Sequence, residues 1–429
     1  MAWSFHPYAE EAMTEQLPQG FAGVRRAAAL SSPLIYRLFR DFADLDYLRT
    51  HWDQACLRAG GSVYMTYDWL RVWWEFYGGG AELRLFVFFN GETIEAIVPI
   101  YIHTLGWGPL RFRVARLVGA NIPPKVFDPP VPEWCAGDVM GQVVDQLFTK
   151  DACDLLSLGP VSEFQPITKC IDTVCAQRAG LVKQPKLLKG VYSVFHVPSS
   201  MEDYYASLSK NERKNRRKYE LRLLAKEFET RADVVSDAPA VAREFEHFAE
   251  QHRKQWAAER KTGHFGAWPG ALDYNRALVR AQGDAGRVRF IRIIANGEVI
   301  ASQYTFAFGD RYFGELPARA VDQKWDRFSL GPTGIVTMID QAIKEGISRV
   351  EGGLAHYDYK VRLGAKEYST LTFRIVGRRS ISRARFVLHS FIRACWSYGY
   401  NKLLYRRIMP RLPRAFWRPR WEKWLRMDF

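Results

Sequence analysis

Residues 83–103 read LRLFVFFNGETIEAIVPIYIH, and residues 288–308 read VRFIRIIANGEVIASQYTFAF. Each is an apolar stretch, an Asn-Gly pair and a second alternating stretch. Asn-Gly between alternating segments is the strongest short hairpin signal, because a type I′ turn needs positive φ at both central positions. The turns share one tripeptide, Asn90-Gly91-Glu92 and Asn296-Gly297-Glu298. A repeat of this span must be matched by repeated structure on either side, and it is. Strands are expected at about 34–39 and 191–197, the first followed by a helix at about 43–58 and the second by helical segments at 201–228. A helix precedes each hairpin, at 67–77 and 271–281. Each hairpin is followed by a strand (112–118, 311–316), an irregular segment, a helix (139–149, 331–345) and a short strand (154–158, 349–352). The chain therefore reads as α/β (α+β): two tandem domains, about 30–185 and 186–380, each a mainly antiparallel sheet flanked by helices. Residues 1–29 read as a loose leader and 381–429 as a basic, aromatic tail.

Composition narrows the class. At 429 residues and 48% hydrophobic, the chain can bury cores for two domains. No window approaches the roughly 18 apolar residues of a membrane span, and the acidic start lacks the apolar run of a secretory signal. The six cysteines form no C-x-x-C pair and have no histidine at zinc-ligand spacing. They read as reduced thiols in a cytoplasmic protein without a metal.

The net charge of +15 is concentrated in two stretches. Between Ser209 and Glu227, Lys210, Arg213, Lys214, Arg216, Arg217, Lys218, Arg222 and Lys226 outnumber Glu212, Glu220 and Glu227. Ser209 and Glu212 form a capping box for this helix, which is either a solvated face or a platform for an anionic donor. From Ile381 to Phe429, twelve cations stand against Glu422 and Asp428, among many aromatics. Val387, Phe391, Ala394 and Tyr398 share one helical face, with His389, Arg393 and Ser397 opposite. Such a tail either packs on the body or meets an anionic membrane surface, where aromatic rings sit at headgroup depth. The expected location is cytoplasmic, peripheral at the inner membrane.

The copies differ where chemistry would sit. In the second, Arg327-Phe328-Ser329-Leu330-Gly331-Pro332-Thr333-Gly334 runs into a helix whose first N–H groups suit a phosphate. The matching place in the first copy, PPKVFDPPVPEWCAGD, is rich in proline, which lacks that donor. The second copy is expected to be catalytic and the first degenerate.

The order of elements resembles the GNAT acyltransferase fold. The duplicated form resembles the cellulose-biosynthesis-type (CelD-like) acetyltransferases, which are related to Fem-type aminoacyl transferases. The resemblance is carried by Leu208-Ser209-Lys210-Asn211 and the basic helix, His252-Arg253-Lys254-Gln255-Trp256, Ser329-Leu330-Gly331 and Tyr357-Asp358-Tyr359-Lys360. It implies acyl transfer from acyl-CoA (acetyl-CoA) as co-substrate to an amine or hydroxyl, here of a polysaccharide or envelope precursor. The family's Arg/Gln-x-x-Gly-x-Gly/Ala phosphate turn is spaced differently here, so the donor set is expected from Arg327, Ser329, Gly331 and Gly334. Glu315, at the end of the strand before that turn, is the first candidate general base, with His356 the second. Tyr359 or Lys360 would protonate the leaving thiolate or hold a donor phosphate. His252 and Trp256, one helical turn apart, either line the acceptor pocket or belong to the core. Two alternatives stay open. One is a Fem-like transferase using aminoacyl-tRNA, although that branch's coiled-coil arm is missing. The other is a non-catalytic scaffold. Hydrolase readings fail, since no G-x-S-x-G, H-E-x-x-H or P-loop occurs.

Overall fold

The computed structural model describes residues 34–120, 123–185, 187–219, 221–413 and 416–427. The leader at 1–29 and Glu220 lie outside the described residues, as do the side chains of Arg217, Lys218, Tyr219 and Leu221. The strands are β1 (Ile35–Phe39), β2 (Glu82–Asn90), β3 (Thr93–Leu105), β4 (Phe112–Leu117), β5 (Leu155–Ser162), β6 (Val182–Lys183) and β7 (Leu187–His196). There follow β8 (Thr230–Val235), β9 (Val288–Ala295), β10 (Glu298–Phe308), β11 (Arg311–Arg319), β12 (Arg349–Leu354) and β13 (Lys366–Val376). All belong to one mixed sheet, ordered β1-β2-β3-β4-β5-β13-β7-β12-β11-β10-β9-β8, with β6 beside β13.

That order is palindromic. From either edge inward run a short strand, the Asn-Gly hairpin, a third antiparallel strand and a parallel neighbour, β5 on β4 and β12 on β11. At the centre the halves exchange strands. β13, the last strand in sequence, pairs with β5 of the first half, and β7 pairs with β12 of the second. The two exchanged strands then pair with each other, antiparallel. This corrects one expected equivalence: the counterpart of β1 is β8, hydrogen-bonded to β9 as β1 is to β2. The strand near 191–197 is instead the counterpart of β13.

The hairpins also differ in detail. Asn296 and Gly297 both have positive φ (48° and 81°), as a type I′ turn requires. In the first hairpin Asn90 pairs with Thr93, so the turn moves to Gly91-Glu92, with positive φ at Gly91. Both return strands bulge just beyond the turn, with Glu95 the extra residue opposite Phe88/Phe89 and Ile300 the extra residue opposite Ile293/Ile294.

The helices Arg49–Arg58 and Tyr67–Tyr77 of the first half have counterparts in Ala238–Ala258 and Ala271–Asp284. Their apolar faces and one side of both half-sheets bury a single core, running from Trp52, Trp69, Trp73 and Phe86 to Phe248, Tyr274, Phe290 and Phe306. Trp69 meets Phe306 edge-on at 5.0 Å, and Tyr64 meets Phe313 at 5.4 Å. On the other side of the second half, the helix Leu330–Lys344 packs Ile335, Met338 and Ile339 against Ile291, Tyr312 and Val350. No helix among the described residues is long and apolar enough to cross a membrane.

Candidate active site

In each half the parallel strands pair over three residues and then part. β11 and β12 are in register from Arg311/Arg349 to Phe313/Glu351, yet β11 continues to Arg319. β4 and β5 pair from Val114/Leu155 to Arg116/Ser157. Parting parallel strands leave a gap with unpaired backbone groups on both lips, which a ligand or the chain itself must satisfy.

The halves satisfy it differently. In the first, the proline-rich segment enters the gap: Phe127 N–H donates to the Pro160 carbonyl at 2.9 Å, and Ser162 N–H donates to Asp128 Oδ1 at 2.8 Å. Ile97 N–H donates to the Pro130 carbonyl at 3.0 Å. The gap is filled by its own chain. No such segment crosses between β11 and β12 among the described residues.

Glu315 stands on the β11 lip. Tyr304 pairs with Leu316 and Thr305 with Gly314, so Glu315 is the extra residue of a β-bulge, two residues past the last pair. The corresponding position of the first half is Val118. The Glu315 carboxylate is buried and ion-paired at 2.6 Å with Nζ of Lys125, which comes from the plug of the first half. Lys125 also lies 5.6 Å from the ring centroid of Tyr64. Sequence reasoning missed Lys125, whose only signal was its place in the segment that departs from the repeat.

Lys360 stands on the β12 lip. It lies in the short helix Asp358–Arg362, buried, with Nζ donating to the Gly352 carbonyl at 2.7 Å and lying 4.7 Å from the Tyr357 ring. Burial lowers its pKa to about 8. Glu315 thus stands on β11 two residues beyond its last pair with β12, and Lys360 is bonded to β12 at Gly352, one residue beyond that pair. Tyr359 packs against the core beside them, and burial raises its hydroxyl to about 12, which makes it a proton donor and not a base. His356 is exposed. Its Nδ1 lies 2.9 Å from the Glu367 carboxylate and its Nε2 2.9 Å from Asp358, and hydrogen bonds donated to both, Glu367 first, raise its pKa. With both nitrogens engaged by carboxylates, His356 has no free lone pair for a substrate proton.

The helix Leu330–Lys344 begins at the open end of the gap. Met338 Sδ accepts from Thr305, opposite Gly314, and one turn earlier Gly334 lies over Gln303, opposite Pro317. Ser329, left-handed at φ 48°, turns the chain into the helix. Leu330 and Gly331 supply first-turn N–H groups, Pro332 none. A side chain at Gly331 would meet no protein atom within 4 Å. Gly334 serves another purpose than expected, since a Cβ there would lie 2.4 Å from Gln303 Nε2; it is a packing glycine beneath the helix. Arg327 is exposed, ion-paired with Glu227 and set 4.8 Å from the Phe328 ring.

His252 and Trp256 lie on the helix Ala238–Ala258, near the end of β11, where Arg319 N–H donates to Gln255 at 3.0 Å. Trp256 Nε1 donates to His252 Nε2 at 2.8 Å, and His264 Nδ1 lies 3.2 Å away. His252 is buried and its pKa falls to about 3, so the imidazole is neutral. The pair is a fixed structural cluster, with one flank of the partly buried Trp256 turned outward.

The basic helix Lys210–Tyr219 spends part of its charge internally. Ser209 caps Glu212, Arg213 donates to the Ala206 and Leu208 carbonyls, and Arg216 pairs with Glu212 at 3.1 Å.

Comparison with known proteins agrees with this geometry. Residues 208–361 match the family model described as an acetyltransferase (GNAT) domain. The solved structure of FemX superposes at TM-score 0.57 with 8% identity, over 78% of this chain and 98% of that one. The C-terminal domain of a putative lysylphosphatidylglycerol synthetase from Agrobacterium fabrum gives 0.45 and 14%, over 81% and 97%. A tandem GNAT protein from the clavulanic acid biosynthesis pathway gives 0.40 and 11%, over 81% and 99%. A search of curated proteins returned no match. At these identities the structural likeness is one of fold. The family match places a GNAT acetyltransferase domain at residues 208–361, in the second half of the chain.

Proposed function

We propose that the second half moves an acyl group, acetyl in the simplest case, from acyl-CoA to an amine or hydroxyl of a polysaccharide or cell-envelope precursor. The first half serves as a degenerate partner. The acceptor class rests on the resemblance to the cellulose-biosynthesis-type acetyltransferases. The observation that carries the reading is the parting of β11 and β12, which no backbone segment crosses among the described residues, with Glu315 on β11 and Lys360 bonded to Gly352 of β12 just beyond their last pair, and with the following helix beginning at Ser329–Gly331. The equivalent gap in the first half is plugged and has Val118 for Glu315.

In this scheme Glu315 takes the acceptor's proton, directly or through a water. The new C–N or C–O bond forms as the C–S bond breaks, and Lys360 returns a proton to the leaving thiolate. A lysine with a pKa near 8 is still mostly protonated at neutral pH and gives up its proton readily. Unpaired N–H groups on the strand lips would polarise the thioester carbonyl.

Acetyl-CoA should raise the melting temperature of the full chain, because a ligand of the native state stabilises it by mass action. Glu315→Gln should keep that shift and lower thiol release with an amine or hydroxyl acceptor by about 10²–10⁴-fold. A melting temperature unmoved by any acyl-CoA would remove the donor and favour the aminoacyl-tRNA reading. That reading predicts tRNA binding that weakens steeply with salt. The inward use of Arg213 and Arg216 counts against it.

A further inference from the structure

The helix Ser380–Trp396, continued with wider turns as Ser397–Ile408, is amphipathic in the reverse of the usual sense. Its polar side chains face the protein. Ser382 Oγ donates to Asp154 Oδ1 at 2.5 Å, Arg385 lies 3.4 Å from the same carboxylate, and His389 Nε2 donates to the Leu110 carbonyl at 2.9 Å. The His389 ring stacks on Phe112 at 4.8 Å. Its outward side carries Ala384, Val387, Leu388, Phe391, Ala394, Cys395 and Tyr398, with Val387, Phe391 and Tyr398 each about two-thirds exposed. No charge interrupts that outward row.

A second element extends the surface. The loop between β3 and β4 is fixed beside this helix by Arg385 Nε donating to the Pro109 carbonyl and by the His389–Leu110 bond. At its tip Trp107 is 82% exposed, with Leu110 half exposed. Apolar patches of this continuity on a protein surface mark interaction sites.

Charge identifies the partner. From Arg378 to Trp421 the sequence holds twelve cations and no acid. Arg383 and Arg111 flank the apolar row, and Lys402, Arg406 and Arg407 stand exposed further along. A second copy of this surface would set cations against cations. A nucleic acid would leave the aliphatic row of Val387 and Leu388 without a partner. A bilayer with anionic headgroups meets both needs at once, seating Trp and Phe at headgroup depth with arginines on phosphate.

We propose that the outward face of the helix 380–398, together with the Trp107 loop, docks the protein on an anionic lipid surface with the helix lying in the membrane plane. Arg420, Leu425 and Arg426 are not part of this face. Arg426 donates to the Tyr77 and Gly79 carbonyls, Leu425 is in the core, and Arg420 N–H donates to the Ala267 carbonyl. The tail is thus divided, Arg420, Leu425 and Arg426 packed on the body and the helix facing out. This assignment stands on surface geometry and is independent of the acyl-transfer reading.

The test is co-sedimentation of the full chain with vesicles of phosphatidylcholine, alone or mixed with phosphatidylglycerol. Binding should require the anionic lipid and weaken as salt rises. The double variant Val387→Glu/Phe391→Glu should lower the partition coefficient by about tenfold or more, since two apolar side chains no longer enter the interface. Its melting temperature should stay unchanged, because neither side chain packs within the fold. Arg406→Glu/Arg407→Glu should reduce the preference for phosphatidylglycerol. Absence of binding to anionic vesicles overturns the proposal, as does equal binding by the Val387/Phe391 variant. Light scattering that shows a dimer dissolved by the same substitutions also overturns it, by assigning the face to a second copy.

Discussion

A lysine whose Nζ is spent on the Gly352 carbonyl and whose stem is buried beside Tyr357 gives up most of its hydration, so its pKa falls from 10.5 to about 8. The unfolded chain holds this proton up to about 10.5, so between the two values the unfolded state binds more protons and stability rises with pH. Below pH 8 both states are protonated and the cost of burial is constant. Relative to Lys360→Met, the protein should gain on the order of 3 kcal/mol between pH 8 and 10.5, measured by urea denaturation at each pH. If Lys360 is the proton donor, the rate should fall through the same pKa, with a basic limb near pH 8 that Lys360→Arg displaces. Lys125 makes the complementary case. Removing it leaves Glu315 buried against Tyr304 and Tyr274 with no counter-charge, which costs about 3–5 kcal/mol. Lys125→Met should show that loss in chemical denaturation, and Lys125→Arg much less. Glu315 and Lys360 were singled out in the sequence, the one as the expected end of a strand that instead bulges there and runs on to Arg319, the other from the Tyr-Lys motif. Lys125 was not, because its pairing depends on how the two halves face each other.

At the scale of elements, Gly331 separates binding from folding. It occupies the first turn of the helix Leu330–Lys344, and a side chain there would point into space free of protein atoms. Gly331→Leu should therefore leave stability unchanged or raise it by up to about 1 kcal/mol through helix propensity. It should also abolish the thermal shift produced by acetyl-CoA, by filling the space in front of the free N–H groups. A lost shift with intact melting locates the donor at this turn; a retained shift places it elsewhere. The hairpins were readable because Asn-Gly and alternating apolar residues act over a few positions. β8 was not, because Thr230–Val235 is an exposed edge strand whose Arg231 and Ala232 face solvent, with no apolar alternation. Nor was the exchange of β7 and β13, since sequence order does not say which of two similar edges a strand joins. The same limit produced the mistaken match between the strands near 34–39 and 191–197.

For the molecule as a whole, exchanged strands and a shared core remove the boundary that a duplicated sequence suggests. β5, the inner strand of the first half, is covered by β13 from the far end of the second, and a bare edge there would be open to aggregation. Polar contacts tie the halves as well: Arg287 pairs with Asp53 at 2.6 Å, Gln282 donates to Thr66 at 3.0 Å, and Tyr77 donates to the Pro269 carbonyl at 2.9 Å. Tandem domains joined by a linker unfold separately, each with the slope of its own exposed surface. Here neither half can lose its sheet without stripping the other of a neighbouring strand and of part of a common core. Urea unfolding followed by tryptophan fluorescence, to which buried Trp52, Trp69 and Trp73 of the first half and Trp268 and Trp325 of the second contribute, should therefore give one transition that coincides with far-UV circular dichroism. The slope should be that of the whole chain. Residues 34–185 produced alone should lack cooperative melting, because β5 and the faces of Trp69 and Tyr64 would be bare. Two separated transitions, or a first half that melts cooperatively alone, would mean that the exchanged strands are a surface detail. The plugged half could then not be what holds Lys125 against Glu315.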